Sequence, residues 1–240
     1  MLKRLYADNF RCLVNFELKF DRVNLLLGEN GTGKTTVFEV LYRLQQFVAG
    51  NAKVLTVFPS AELTRWQTNA TQRFELELQV GEANYSYSLL IEHDEDRRKA
   101  KIKSETLLLD GKKLFSFQDG QAQLYHDDFL PGPQYPFDWT QSGVGVLQPR
   151  PDNKKLTRFR VEMEKIIIAG IHPMRMSSES REDERALSRN MENFVSWYRF
   201  LSQEHQGTML ALFQELKKAI PGFDSFSLKE GPQGTTWVRS

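Results

Sequence analysis

The chain has 240 residues, with 32 basic and 31 acidic side chains, 40% hydrophobic residues and 12% aromatic residues. That length suffices for one large domain or two small ones with a real core, and the hydrophobic content excludes wholesale disorder. A net charge of +1 excludes a globally cationic nucleic-acid binder, and the longest apolar runs, 23–27 and 166–171, fall far short of the roughly 20 residues of a membrane span. No secretory leader is visible. The single cysteine, Cys12, cannot close an internal disulfide. His93, His126, His172 and His205 are scattered without metal-ligand spacing. The expected class is a soluble cytoplasmic protein without a membrane partner.

In chain order, Val14, Phe16, Leu18 and Phe20 alternate with polar residues, the period of a half-buried strand. Residues 23–27, Val-Asn-Leu-Leu-Leu, suit a fully buried, parallel strand. Val37, Val40, Leu41, Leu44 and Val48 predict a helix over 34–49, with Gly50 as its stop. From Arg73 to His126 the period is two, as in Phe74, Leu76, Leu78 and in Tyr85, Tyr87, Leu89. Polar turns at 81–84, 93–98 and 110–111 make this an antiparallel meander. The Pro/Gly-rich stretch from Leu130 to Pro151 predicts a loop between subdomains.

Beyond Lys154 the pattern is helical. One stripe is Leu156, Phe159, Met163, Ile166 and Ile167; a second is Leu187, Met191, Phe194, Tyr198 and Leu201. A third, opened by Thr208, carries Met209, Leu212, Phe213 and Leu216 and stops before Pro221. Segments 223–228 and 235–238 are candidate strands. The predicted organisation is therefore a lobe at 1–150, a helical insertion at 151–222 and a returning β segment at 223–240.

The chemistry lies in Gly28-Glu29-Asn30-Gly31-Thr32-Gly33-Lys34-Thr35, which fits G-x-x-x-x-G-K-[ST], the phosphate-binding P-loop. Glycines let successive N–H groups turn inward toward phosphate oxygens, and the following helix adds its positive dipole end. Lys34 is expected to bridge the β- and γ-phosphates and stabilise charge on the transferred group, and Thr35 to ligate Mg²⁺. A buried strand before the loop and an amphipathic helix after it strengthen the assignment. The plain alternative is a fortuitous Gly turn with a solvated lysine.

Leu5, Asn9-Phe10-Arg11, Phe16-x-Leu18-x-Phe20 and the run from Val23 through Thr36 to Leu41 together resemble the N-terminus of SMC/RecF-type ABC ATPases. AAA-type bacterial relatives that work with nucleases in phage defence are similar. The likeness is dense over 1–45 and architectural beyond. It implies an α/β P-loop NTPase of ABC/SMC type: a mixed sheet, an antiparallel β subdomain and a helical insertion. It also implies that Asn30 through Thr36 wrap ATP with its Mg²⁺, and that Arg11 lies beside the base or ribose, against the alternative of an ordinary surface arginine. A glutamine between the lobes would sense Mg²⁺ and the attacking water; Gln148 and Gln141 are candidates by position, and a plain loop glutamine is the alternative for each.

The family's signature loop, its Asp-Glu strand end and its switch histidine have no counterpart in these residues. Asp94-Glu95 reads as part of a charged hairpin turn. The expectation is thus an N-terminal part of an ATPase that binds ATP and hydrolyses it at background by itself, with Glu29, Asp127 and Asp128 the first acids to test otherwise. Arg97, Arg98, Lys99, Lys101 and Lys103 form a basic cluster that either tracks a phosphate backbone or is neutralised by the acids at 92–96. By the same resemblance, a second subunit, as a homodimer, would close over the nucleotide, with DNA and a nuclease or effector as further partners. Two other readings stay open: a P-loop kinase of a small molecule, and an interaction module gated by nucleotide without turnover.

Overall fold

The computed structural model describes residues 1–50, 52–94, 99–230 and 236–239. It divides into two units, Met1–Ile166 and Ile167–Ser240. The division falls after Ile166 and not at residue 150, because the first helix beyond Lys154 packs within the first unit.

Unit 1 is built on β1 (Leu2–Asp8), β2 (Phe16–Lys19), β3 (Thr71–Val80), β4 (Ala83–Asp94), β5 (Lys99–Leu109), β6 (Lys112–Gln118), β7 (Gln121–Tyr125) and β8 (Pro131–Pro136). They form one sheet in the order β2-β1-β3-β4-β5-β6-β7-β8, antiparallel at every pairing. The meander predicted over 73–126 is thus present. Its turns follow from sequence: Asp110 and Gly111 have φ of 47° and 77°, the left-handed pair of a tight type I′ hairpin. The Pro-rich stretch is partly a strand, contrary to the loop expected there. β8 is an edge strand, where a proline without an N–H breaks no interior ladder.

One sheet face is apolar in alternate residues and is covered by α1 (Lys34–Val48), α2 (Val54–Val57), α3 (Gly143–Val146) and α4 (Lys154–Glu164). Phe47 from α1 meets Phe58 at 5.8 Å between ring centroids, and Phe58 meets Phe74 of β3 at 4.7 Å. Phe159 of α4 lies over Tyr85 and Tyr87 at 5.5 and 5.8 Å. Burying each such ring contributes about 1.5–3 kcal/mol.

One carboxylate sits inside this core. Glu105 is fully buried and accepts from Tyr87 Oη (2.8 Å), Ser142 Oγ (2.5 Å) and the Gly143 amide (2.7 Å). Burial pushes its carboxyl pKa up, against those donors, and pushes the Tyr87 phenol well up. The bonds tie α3 to the sheet, and α3 in turn abuts the end of α1: a Cβ at Gly50 would stand 2.7 Å from the Gly145 carbonyl oxygen.

The parallel strand expected at 23–27 is not formed, so the sheet is not mixed. Residues 24–29 run without bend or turn, and Val23, Leu25 and Leu27 are 85%, 78% and 81% exposed. No neighbouring strand is present for them among the described residues.

Unit 2 contains β9 (Glu179–Ser180), α5 (Phe194–Glu204), α6 (Gln206–Ala219), β10 (Ser227–Glu230) and β11 (Thr236–Arg239), with strand order β10-β11-β9. Phe194, Tyr198, Phe213, Phe223 and Phe226 form its aromatic cluster, and Tyr198 Oη donates to the Phe226 carbonyl at 2.8 Å. The stripe over 187–201 becomes helix only from Phe194, because Met191 takes a left-handed φ of 57°. Ile167 lies outside α4 and is exposed, so the stripe over 156–167 ends early. Thr235 lies outside the described residues.

Candidate functional site

The P-loop residues stand where α1 begins. Gly33, at φ 95°, is the residue before its first turn, and a Cβ there would be 2.8 Å from Cys12 Sγ. Only glycine meets both demands. The first turn of α1 holds no acidic residue and no side-chain cap. Among the described residues the amides of Lys34, Thr35 and Thr36 have no acceptor; the first helical amide to find one near the loop is Val37, on Gly33 O at 3.1 Å. Unsatisfied donors and an uncompensated helix dipole make this end of α1 an anion site.

Lys34 turns back into the loop. Its Nζ donates to the carbonyl oxygens of Gly28 and Glu29, each at 2.6 Å. Thr32 Oγ1 also donates to Glu29 O, at 2.9 Å. Thr35 is exposed, and Thr36 Oγ1 lies 3.8 Å from Cys12 Sγ. Gly28, Asn30, Gly31, Thr32, Gly33, Lys34, Thr35 and Thr36 therefore come together at one helix end. Beside them opens a groove of about 350 Å³, walled by Leu13, Val14, Phe16, Leu26 and Val37.

The turn that carries Arg11 adjoins this loop through Cys12, whose Sγ lies 3.8 Å from Thr36 Oγ1, and is fixed from its other side. Asn9 and Arg11 have φ of 59° and 52°. The buried Asn9 side chain accepts from Thr64 N at 3.0 Å and donates to Thr71 O at 2.9 Å. Gln72 Nε2 donates to Asn9 O, which leaves Gln72 Oε1 to accept from His93 Nε2 at 3.0 Å. His93 Nδ1 then accepts from Ser60 Oγ at 3.1 Å, and burial lowers the His93 pKa to about 4. Arg11 itself is held by Glu62, with Nη2 at 3.0 Å from Oε1 and Nε closer still on Oε2. Glu62 also takes Arg43 Nη2 at 2.9 Å, and Arg43 Nε pairs with Glu39 at 2.8 Å. The hydrogen bond from Arg11 is the main cause that holds the Glu62 carboxyl below its usual range. Glu62 was not legible as a site residue, because its ion pairs span 51 and 19 positions of sequence.

Gln148 is placed elsewhere. It follows Gly145, which packs against Gly50 beyond the C-terminal end of α1. Helix α1 is about 22 Å long and three residues reach at most about 11 Å, so the Gln148 backbone stays at least about 10 Å from the loop. Gln141 follows Thr140, whose carbonyl accepts from Val54, also past that end. Asp127 caps α4 through the amides of Lys154 (3.0 Å) and Lys155 (2.9 Å), and Asp128 accepts from Leu130 N. In the basic cluster Lys101 pairs with Glu92 at 3.4 Å and Lys99 lies opposite Asp94; Glu95, Arg97 and Arg98 lie outside the described residues.

Among the described residues no helix is long and apolar enough to cross a membrane. Comparison with curated proteins returns no match. The family comparison does: with its phosphate cradle at the head of α1, the chain belongs to the AAA ATPase domain family, which it matches over residues 1–197, and so to the nucleotide-binding P-loop proteins.

Proposed function

We propose that this loop binds ATP with Mg²⁺ as part of an SMC/RecF-like ATPase that pairs with a second subunit around the nucleotide and acts on DNA or with a nuclease, in repair or phage defence. The observation that carries nucleotide binding is the uncapped, acid-free first turn of α1 behind Lys34. Lys34 leaves its two carbonyls for the phosphates, the loop amides take phosphate oxygens, and the Thr35 hydroxyl takes a metal position. Contact of Arg11, whose guanidinium Glu62 holds, with base or ribose is supported by the likeness of 1–45 alone. The finer assignment is supported by the likeness of 1–45 to that ATPase branch. A cradle that binds ground and transition states alike does not speed the chemical step, so background turnover is expected from these residues.

Calorimetric titration of ATP with and without Mg²⁺ tests this. Wild type should bind, Lys34→Ala should bind weakly, and Thr35→Ala should lose mainly the Mg²⁺ dependence. Equal affinity of wild type and Lys34→Ala would sink it. Transfer of labelled γ-phosphate to a small acceptor would point to a kinase instead.

A further inference from the structure

We propose that the outer face of α4 and the two grooves beside it are a docking site for a short acidic segment of a partner protein, with an apolar side chain at each end of the acidic run. The inference stands apart from the nucleotide reading.

The face follows from helical period. Leu156, Phe159 and Met163 turn into the core, so Lys154, Arg158 and Val161, at positions i, i+4 and i+7, share the outward stripe. Lys154 and Arg158 are exposed like charges one turn apart, an arrangement that repels itself. Among the described residues no hydrogen bond or ion pair reaches the side chain of either, or that of the exposed Arg150. The neighbouring acids are engaged. Asp127 holds the Lys154 and Lys155 amides, Asp110 accepts from Asn84 N at 2.9 Å, and Glu162 pairs with Lys165 at 2.7 Å. Two further cations stand nearby, Lys155 and Lys112, with Nζ 4.0 and 5.0 Å from the Phe129 ring centroid.

The grooves supply the apolar half. Lys154 and Arg158 line both of them. One, of about 260 Å³, is otherwise walled by Pro149, Arg150, Thr157 and Val161. The other, of about 450 Å³, runs over Tyr85, Leu109, Phe129 and Lys155. Each combines an apolar wall with exposed cations.

Charge and shape together select the occupant. Guanidinium and ammonium groups without partners take carboxylates, bidentately at arginine. The apolar walls take a side chain the size of leucine or phenylalanine, which a phosphate backbone does not offer. A long polyanion such as a DNA duplex would also meet Glu82 and Asp128, which are exposed, and the half-exposed Asp152. Those like charges repel it, whereas a short peptide stays within the grooves. Because both grooves share Lys154 and Arg158, the segment carries its acids in the middle and its apolar side chains on either side.

The test is fluorescence anisotropy of a dye-labelled, capped hexapeptide with leucine first, phenylalanine last and alternating glutamate and aspartate between, titrated with the full chain. It should bind, and more weakly in high salt. Replacing its leucine and phenylalanine by serine, or its acids by their amides, should each weaken binding at least tenfold. Arg158→Glu and Val161→Asp should do the same at unchanged melting temperature; if Arg158→Glu unfolds, Arg150→Glu carries the same expectation. Lys99→Glu, an equal charge reversal elsewhere in unit 1, should leave binding unchanged, as should Lys34→Ala. No binding, equal binding of the serine peptide, or wild-type affinity in the Arg158 or Arg150 variant would overturn the proposal. So would loss of binding in Lys99→Glu or Lys34→Ala, which would place the peptide elsewhere. Displacement of the peptide by a short DNA duplex or inorganic phosphate more readily than by unlabelled peptide would make a phosphate the ligand and overturn it too.

Discussion

The Lys34 ammonium donates to the Gly28 carbonyl oxygen across 2.6 Å, so the loop's cation is spent on the loop itself. A phosphate must replace two carbonyl acceptors and offers full negative charge in exchange. Charge-assisted bonds of this kind contribute about 1.5–3 kcal/mol. Lys34→Ala should therefore weaken ATP binding about 10- to 100-fold. Isothermal titration checks it, with circular dichroism to show that the fold persists.

Glu62 is the acid shared by Arg11 and Arg43. Removing it leaves Arg11 without its acid and Arg43 with Glu39, both guanidinium groups over the Phe10 ring. Because Arg11 is partly exposed, solvent screens the cost, and Glu62→Ala should destabilise by about 1–2 kcal/mol. The Glu62 pKa is lowered in the folded chain, so its contribution is present above the ordinary carboxylate range and lost as pH falls through the folded value. Denaturant melts of wild type and variant at pH 7 should differ, and should converge in acid.

Tyr87→Phe removes one of the donors that satisfy the buried Glu105 carboxylate. The expected loss is about 1–3 kcal/mol, read as a lower melting temperature of unit 1. Tyr85→Phe should cost less, since its hydroxyl donates to the Lys155 carbonyl in a partly buried place.

His93 titrates near 4 in the fold against 6.5 when free, so the unfolded chain binds the extra proton between those values. Stability is unaffected above pH 6.5 and falls as pH drops toward 4, at up to about 1.4 kcal/mol per pH unit. Glu105, with its raised pKa, works in the opposite direction above the ordinary carboxylate range. The clean measurement is therefore the difference between wild type and His93→Gln across pH 7 to 4. That difference should shrink on acidification if His93 is the group concerned.

The P-loop, α1 and the meander were legible from sequence alone because each is decided within a few residues. Gly33 and Lys34 stand beside each other, Val37 to Val48 repeat at helical spacing, and Phe74, Leu76 and Leu78 alternate. The placement of Gln148 was not legible, since position along the chain does not say at which end of a 22 Å helix a loop returns. Nor was Glu62, whose partners lie far off in sequence. β8 was hidden behind its prolines, which an edge tolerates and an interior does not. The run at 23–27 shows the division most clearly. Its composition determined that it should be a strand buried on both faces, but a strand exists only when another lies alongside it. Backbone pairing is a property of two segments, and tertiary structure alone decides whether the second is there.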